Sequence, residues 1–205
     1  MNNGKWSIIF GKDNDWNNKE NIAKECFGVA KNANFPTDLM DVSEHLFANK
    51  TCKRIYVVSN ENKIIGFAVY DVLSNLDTIH IHGIIIDKFV QGYGLSKKII
   101  EEILKKEKCL YLTAKTHNPR IYELLSKFAK TKLDIYPNTI NNFIPQEIYY
   151  LVKKNKYLFN VDLMLIVRNA YNDEKIIQKC RDEKIQEIFR ELNIRDAQAI
   201  IVRII

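Results

Sequence analysis

Residues 78–100, TIHIHGIIIDKFVQGYGLSKKII, change periodicity halfway along. The first nine are β-branched and apolar around two histidines, which predicts a strand with successive side chains on opposite faces. From Leu95 onward, Leu95, Ile99, Ile100, Ile103 and Leu104 recur at helical spacing, so a helix follows. Between them lies DKFVQGYG, a turn with two glycines. A strand, a glycine turn and a helix in that order build an anion site. The first-turn N–H groups have no intrahelical acceptor, and the positive end of the helix dipole faces the turn. Gly92 and Gly94 would let the backbone approach a phosphate closely, and Ser96 is a small first-turn residue. The spacing does not fit GxGxxG, since position 97 is Lys, and the GK[ST] of a Walker loop is missing. Dinucleotides and nucleoside triphosphates are therefore disfavoured as ligands.

Outward from this stretch the pattern is one of alternating helices and strands. Upstream, KWSIIF (5–10) predicts a short strand, residues 18–33 a helix, and TDLMDVSEHLFA a second helix opened by Thr37. RIYVVS and IIGFAVYDVL are separated by the polar turn NENK and predict a hairpin. Downstream, CLYLTAKT predicts a strand. NPRIYELLSKFAK supplies Asn118 as N-cap, Pro119 at the first helical position, and Ile121, Leu124, Leu125 and Phe128 as a buried face. PQEIYYLVKKN then predicts a helix, VDLMLIVR a strand, DEKIIQKCRDEKIQEIFREL a long amphipathic helix, and AQAIIVRI a final strand. This order points to α/β or α+β rather than a sandwich or bundle.

The chain of 205 residues suits one well-buried domain, and its 46% hydrophobic and 27% charged content is ordinary for a globular protein. The net charge of +6 is spread among acids, as in KKIIEEILKKEK (97–108), which reads as a solvated helix face. A nucleic-acid surface would want clustered cations with interleaved aromatics, so no nucleic-acid partner is expected. The four cysteines, Cys26, Cys52, Cys109 and Cys180, lie far apart with no CxxC, which disfavours metal fingers and a disulfide framework. No apolar run approaches the roughly 18 residues of a membrane span, and no signal peptide is expected, because Met1 is followed by NNGKW rather than by a long apolar stretch. A reduced, cytoplasmic protein without a membrane partner is expected.

His80 and His82 stand two apart on the predicted strand, so their side chains share a face. They could be half-buried residues satisfied by their neighbours. A metal would need a third ligand, and the remaining histidines, His45 and His117, are not at close spacing; no metal is expected.

The glycine turn resembles the pyrophosphate loop of the GNAT superfamily, the acyl-CoA-dependent N-acyltransferases. Their pattern is Arg/Gln-x-x-Gly-x-Gly/Ala after a strand and before a helix. Here it reads Gln91-Gly92-Tyr93-Gly94-Leu95-Ser96, with Ser in the last small position. The element order over about residues 50–130 agrees. The resemblance implies a mixed, mostly antiparallel central sheet flanked by helices, in a single domain whose 150–205 segment completes the sheet. It implies acetyl-CoA as co-substrate. Gln91, Gly92, Tyr93, Gly94, Leu95 and Ser96 would hold the pyrophosphate through backbone amides. The strand end Ile84, Ile85 and Ile86 would pair with the pantetheine arm, and Asn118 would contact it, compatibly with its N-cap role.

HIHGIIIDKFVQGYG also resembles the arylalkylamine N-acetyltransferase branch, in which a His-x-His pair relays the proton of the amine. The chemistry needs such a base: a primary amine arrives largely as ammonium and must lose a proton before it attacks a thioester. Histidine, titrating near neutrality, suits the task. The resemblance thus implies transfer of an acetyl group to a small-molecule or peptide amine, by direct attack, with His80 and His82 as base or relay. Family members often protonate the departing thiolate with a Tyr; at that position this chain has Leu125, while Tyr122 lies one turn away. Tyr122 would be the acid, a pocket wall, or an aromatic packed against the sheet. A homodimer is compatible with the family. The alternative is a non-catalytic CoA-binding or protein-interaction module of the same fold.

Overall fold

A computed structural model describes residues 6–47, 51–140, 143–154, 165–167, 182–190, 192 and 196–204. The chain divides into two compact units, one formed by residues 1–72 and 81–108, the other by residues 73–80 and 109–205.

The first unit opens with β1 (Trp6–Phe10), a 3-10 turn (Asp13–Asn18), α1 (Lys19–Asn32) and α2 (Leu39–Phe47). Asp38, not Thr37, opens α2: its carboxylate accepts the Asp41 amide at 2.8 Å and its carbonyl the Val42 amide. An aspartate satisfies a first-turn donor better than a threonine does. The predicted hairpin is β2 (Lys53–Ser59) and β3 (Ile64–Leu73), antiparallel, with Ile55 opposite Ala68. Its polar turn closes through the Asn62 amide on the Ser59 carbonyl, with Asn62 at a left-handed φ of 59°. β1 joins β2 antiparallel. β4 (Thr78–Ile86) contributes residues 81–86 to this unit, and α3 (Leu95–Lys106) follows the glycine turn.

Leu95, Ile99, Ile100 and Ile103 are the buried stripe of α3, as the periodicity predicts; Leu104 is half-buried. Cys26, Val29 and Ala30 of α1, Val42, Leu46 and Phe47 of α2, and Tyr56, Phe67 and Val69 of the hairpin form one apolar cluster. Arg54 is buried beneath it. Its guanidinium lies 4.9 Å over the Phe47 ring and 3.7 Å from the Asp15 carboxylate, so its charge is both stacked and paired.

The second unit holds residues 78–80 of β4, then β5 (Tyr111–Thr116), α4 (Pro119–Ser126), β6 (Ile135–Tyr136), α5 (Gln146–Lys154), β7 (Ile166–Val167), α6 (Glu183–Ile188) and β8 (Ala197–Arg203). β8 pairs antiparallel with β5, β6 and β7. Flanked so fully, AQAIIVR is buried along all but its last residue, and the one polar side chain in that buried run, Gln198, donates its amide to the Leu165 carbonyl at 2.9 Å. Tyr136, Ile148, Val152, Leu165, Ala197, Ala199 and Ile201 are its core.

Asn118 caps α4 as expected, its side chain accepting the Arg120 amide at 3.0 Å, with Pro119 in the first turn. The buried face of α4 differs from the expected one. It is Pro119, Tyr122 and Leu125, while Ile121, Leu124 and Phe128 are half-buried. The strand expected over VDLMLIVR is described only at β7, and of the long helix expected over 173–192 only α6 and the turn after it are described. Cys180 and the rest of both stretches lie outside the described residues. No helix among the described residues is long and apolar enough to cross a membrane. The architecture is mixed α/β, with mostly antiparallel strands flanked by helices.

Candidate functional site

The glycine turn belongs wholly to the first unit. Asp87 ends β4 and accepts the Phe89 amide at 3.0 Å and the Asn32 side-chain amide at 2.7 Å, which ties the turn to α1. Gln91 folds back and donates its side-chain amide to the Ile86 carbonyl at 2.9 Å. Gly92 and Gly94 then take φ of 85° and 73°. A Cβ at either would face open space, so glycine is demanded here by backbone conformation, not by crowding from the protein. Residues 91–94 are exposed, Leu95 is buried and Ser96 half-buried. The first turn of α3 therefore offers its amides to solvent on a surface that also carries Tyr93, Lys97 and Lys98. Ile84 and Ile85 are half-buried and Ile86 is buried at the end of β4. A glycine turn at a helix N-terminus, with an apolar strand leading to it, is the kind of backbone arrangement that an anion can use.

His82 lies in the first unit as well. Its Nε2 is 2.9 Å from Asp71 Oδ2, a β3 carboxylate that is 8% exposed. A carboxylate only accepts, so Nε2 carries the proton and the neutral ring presents its lone pair at Nδ1. The side chain is 24% exposed, which leaves it within reach of a solute. The His45 ring stands edge-on to it, with centroids 6.3 Å apart. His45 is partly open to solvent, and its Nε2 stands where a Cβ added at Gly83 would meet it at 3.0 Å. Desolvation there, and then the charge His82 can carry, hold its pKa below the ordinary 6.5. Cys52, which precedes β2, places its thiol on the same Asp71. Burial first, then the hydrogen bond to Asp71 and its charge, push the thiol pKa up to about 12.

His80 lies in the second unit and is 1% exposed. Its Nδ1 is 2.9 Å from Thr113 Oγ1, and that hydroxyl is also 3.2 Å from the Ile79 carbonyl. The carbonyl takes the only hydroxyl proton, so His80 Nδ1 must donate to Oγ1, and its lone pair in the neutral ring is at Nε2. His80 and His82 are thus held in opposite tautomers by different partners. Lys115 follows on the Thr113 face of β5, and burial holds its ammonium pKa below 10.5.

Tyr122, a candidate acid on sequence grounds, is 1% exposed in the second unit. Its hydroxyl donates to the Pro137 carbonyl at 2.7 Å, and its ring meets Phe189 edge-on. Burial, reinforced by the Asp182 charge, pushes the phenol pKa up. The hydroxyl therefore has a partner to give up before it could protonate anything.

Reading by histidine spacing missed Asp71, Cys52, His45 and Thr113. A signal for Asp71 was present: one acid inside the apolar run IIGFAVYDVL, a position where a carboxylate needs a partner. The other three become neighbours only through folding.

No curated protein sequence matches the chain. Among solved structures, the ribosomal-protein-S18-alanine N-acetyltransferase of Escherichia coli superposes with a TM-score of 0.55 at 15% identity, over 97% of this chain and 94% of that one. The Tetrahymena GCN5 structure gives a TM-score of 0.52 at 11% identity, over 70% of this chain and 85% of that one. At such identities the likeness is one of fold. The sequence itself goes further: the profile of the acetyltransferase (GNAT) family matches residues 16–129, more than half the chain, from the 3-10 turn before α1 to just beyond α4. The chain belongs to the GNAT acetyltransferase family.

Proposed function

We propose that the protein transfers an acetyl group from acetyl-CoA to a primary amine by direct attack. The family match over residues 16–129, with the glycine turn seated at the start of α3, carries this reading. In it the α3 amides and those of residues 91–96 take the pyrophosphate, and the strand end Ile84–Ile86 pairs with the pantetheine. His82 accepts the proton of the ammonium at Nδ1, while Asp71 holds its Nε2–H and balances the imidazolium that forms. His80 is 1% exposed and its Nδ1 is held by Thr113, so in this reading His82 meets the amine and His80 does not. A backbone amide at the strand end polarises the thioester carbonyl. The tetrahedral intermediate then expels CoA thiolate, which solvent can protonate; Tyr122 is given no part.

Two observations favour a second reading, a CoA-binding module without chemistry: the Tyr122 hydroxyl is bound to Pro137, and Leu125 occupies the family's usual tyrosine position. Calorimetric titration with CoA, paired with thiol release from acetyl-CoA across an amine panel, separates the two. Binding together with amine-dependent release supports the enzyme. Binding without release against any amine supports the module, and no binding at all overturns both.

A further inference from the structure

Three side chains of the first unit come from three separate places in the sequence: Cys52 ahead of β2, Asp71 on β3 and His82 on β4. One donor atom from each lies within 4.8 Å of the other two. A thiol, a carboxylate and an imidazole are a donor set that zinc and its neighbours in the transition series take readily. With zinc bonds of roughly 2.0–2.3 Å, tetrahedral donors stand about 3.3–3.6 Å apart. The cluster therefore needs adjustments of only about an ångström and a half at most, within the reach of side-chain rotation. The Asp71–His82 pair, at 2.9 Å, would open slightly as an ion entered between them. Asp71 is buried while Cys52 and His82 are half-buried, so the donors are partly dry yet reachable. Three protein donors leave a fourth position for water.

We propose that Cys52, Asp71 and His82 form a binding site for a zinc-type divalent cation, and that filling it switches off acyl transfer. The His82 nitrogen that faces Asp71 is Nε2. An ion bound there displaces the Nε2 proton, and the neutral ligated ring carries its proton on Nδ1 instead. The lone pair assigned to the ammonium proton is then gone. The Cys52 thiol proton leaves to solvent, so each ion bound releases one proton net. The binding half of this inference stands alone; the inhibitory half rests on the proposed base role of His82.

Titration of the purified protein with cobalt(II) tests the site by absorption, independently of turnover. The wild type should show saturable binding of one ion, with thiolate-to-cobalt charge transfer and the intense visible bands of tetrahedral cobalt, both removed by zinc. Cys52→Ser, checked for native circular dichroism, should lose the charge-transfer band. It should bind more weakly by more than the roughly 10–100-fold expected for losing a supporting residue. No saturable binding, or a spectrum unchanged by Cys52→Ser, overturns the site. In a parallel arm, stoichiometric zinc should abolish thiol release by the wild type and spare Cys52→Ser relative to its own metal-free rate. Cobalt binding with undiminished turnover overturns the inhibition and the base role together while leaving the site. Zinc-insensitive turnover without cobalt binding overturns the site alone.

Discussion

Asp71 Oδ2 stands 2.9 Å from His82 Nε2, and this pair decides which nitrogen of His82 can act as a base. The carboxylate pins the proton on Nε2, which puts the ring's lone pair on Nδ1, and offers a negative charge to the imidazolium formed during the reaction. Asp71→Asn keeps an acceptor oxygen and loses the charge. We expect kcat to fall by about a hundredfold, the low end of what a general base contributes, with KM for acetyl-CoA unchanged. Steady-state kinetics check this; a change confined to KM would place Asp71 in cofactor binding instead.

Tyr122 should prove structural. Among the described residues its hydroxyl donates to the Pro137 carbonyl at 2.7 Å. Tyr122→Phe should cost about 1 kcal/mol in a denaturant melt and leave kcat within a factor of about two. A hundredfold loss of kcat at unchanged stability would return the acid role to Tyr122.

Gly94 sits at φ 73° where α3 begins, in a region that L side chains avoid. Gly94→Ala should therefore distort the turn at a cost of about 1–2 kcal/mol, read as a weaker Kd for CoA of about tenfold in calorimetry. The core of α3, buried through Leu95, Ile99, Ile100 and Ile103, should keep the far-ultraviolet circular dichroism unchanged. Unaltered CoA affinity would mean that the turn is not the phosphate cradle.

The Cys52 thiol is held protonated, with its pKa raised to about 12 by burial and by the Asp71 carboxylate. The thiolate is the reactive form, so alkylation by iodoacetamide at pH 8 should run well below the rate of a free cysteine. The rate should climb only as pH approaches the raised value. Asp71→Asn, which removes the charge, should accelerate it. Peptide mass spectrometry of Cys52 over time gives the rate. Fast alkylation in the wild type would contradict this environment.

Local signals reached far into this fold. The switch from strand to helical spacing around Gly92 and Gly94 located β4 and α3, and Asn118-Pro119 marked the start of α4, because caps and periodicities act within a few residues. The same reasoning fell short where two local choices were nearly equal. Asp38 outcompetes Thr37 as the cap of α2, and Tyr122 rotates into the core of α4 in place of Ile121 and Leu124. It could not reach the partners of the histidines. Asp71 lies 11 residues from His82, and Thr113 lies 33 from His80. Strand pairing brings them together, and nothing in the spacing encodes it.

The most direct measurement is the rate of amine-dependent CoA release by the wild type and by His80→Ala/His82→Ala, at saturating acetyl-CoA across pH 6 to 10. The account predicts that the double variant loses about a hundredfold or more at neutral pH and recovers part of it at high pH, where the amine arrives already deprotonated, with CoA affinity unchanged. Equal rates for the two proteins at neutral pH would contradict it.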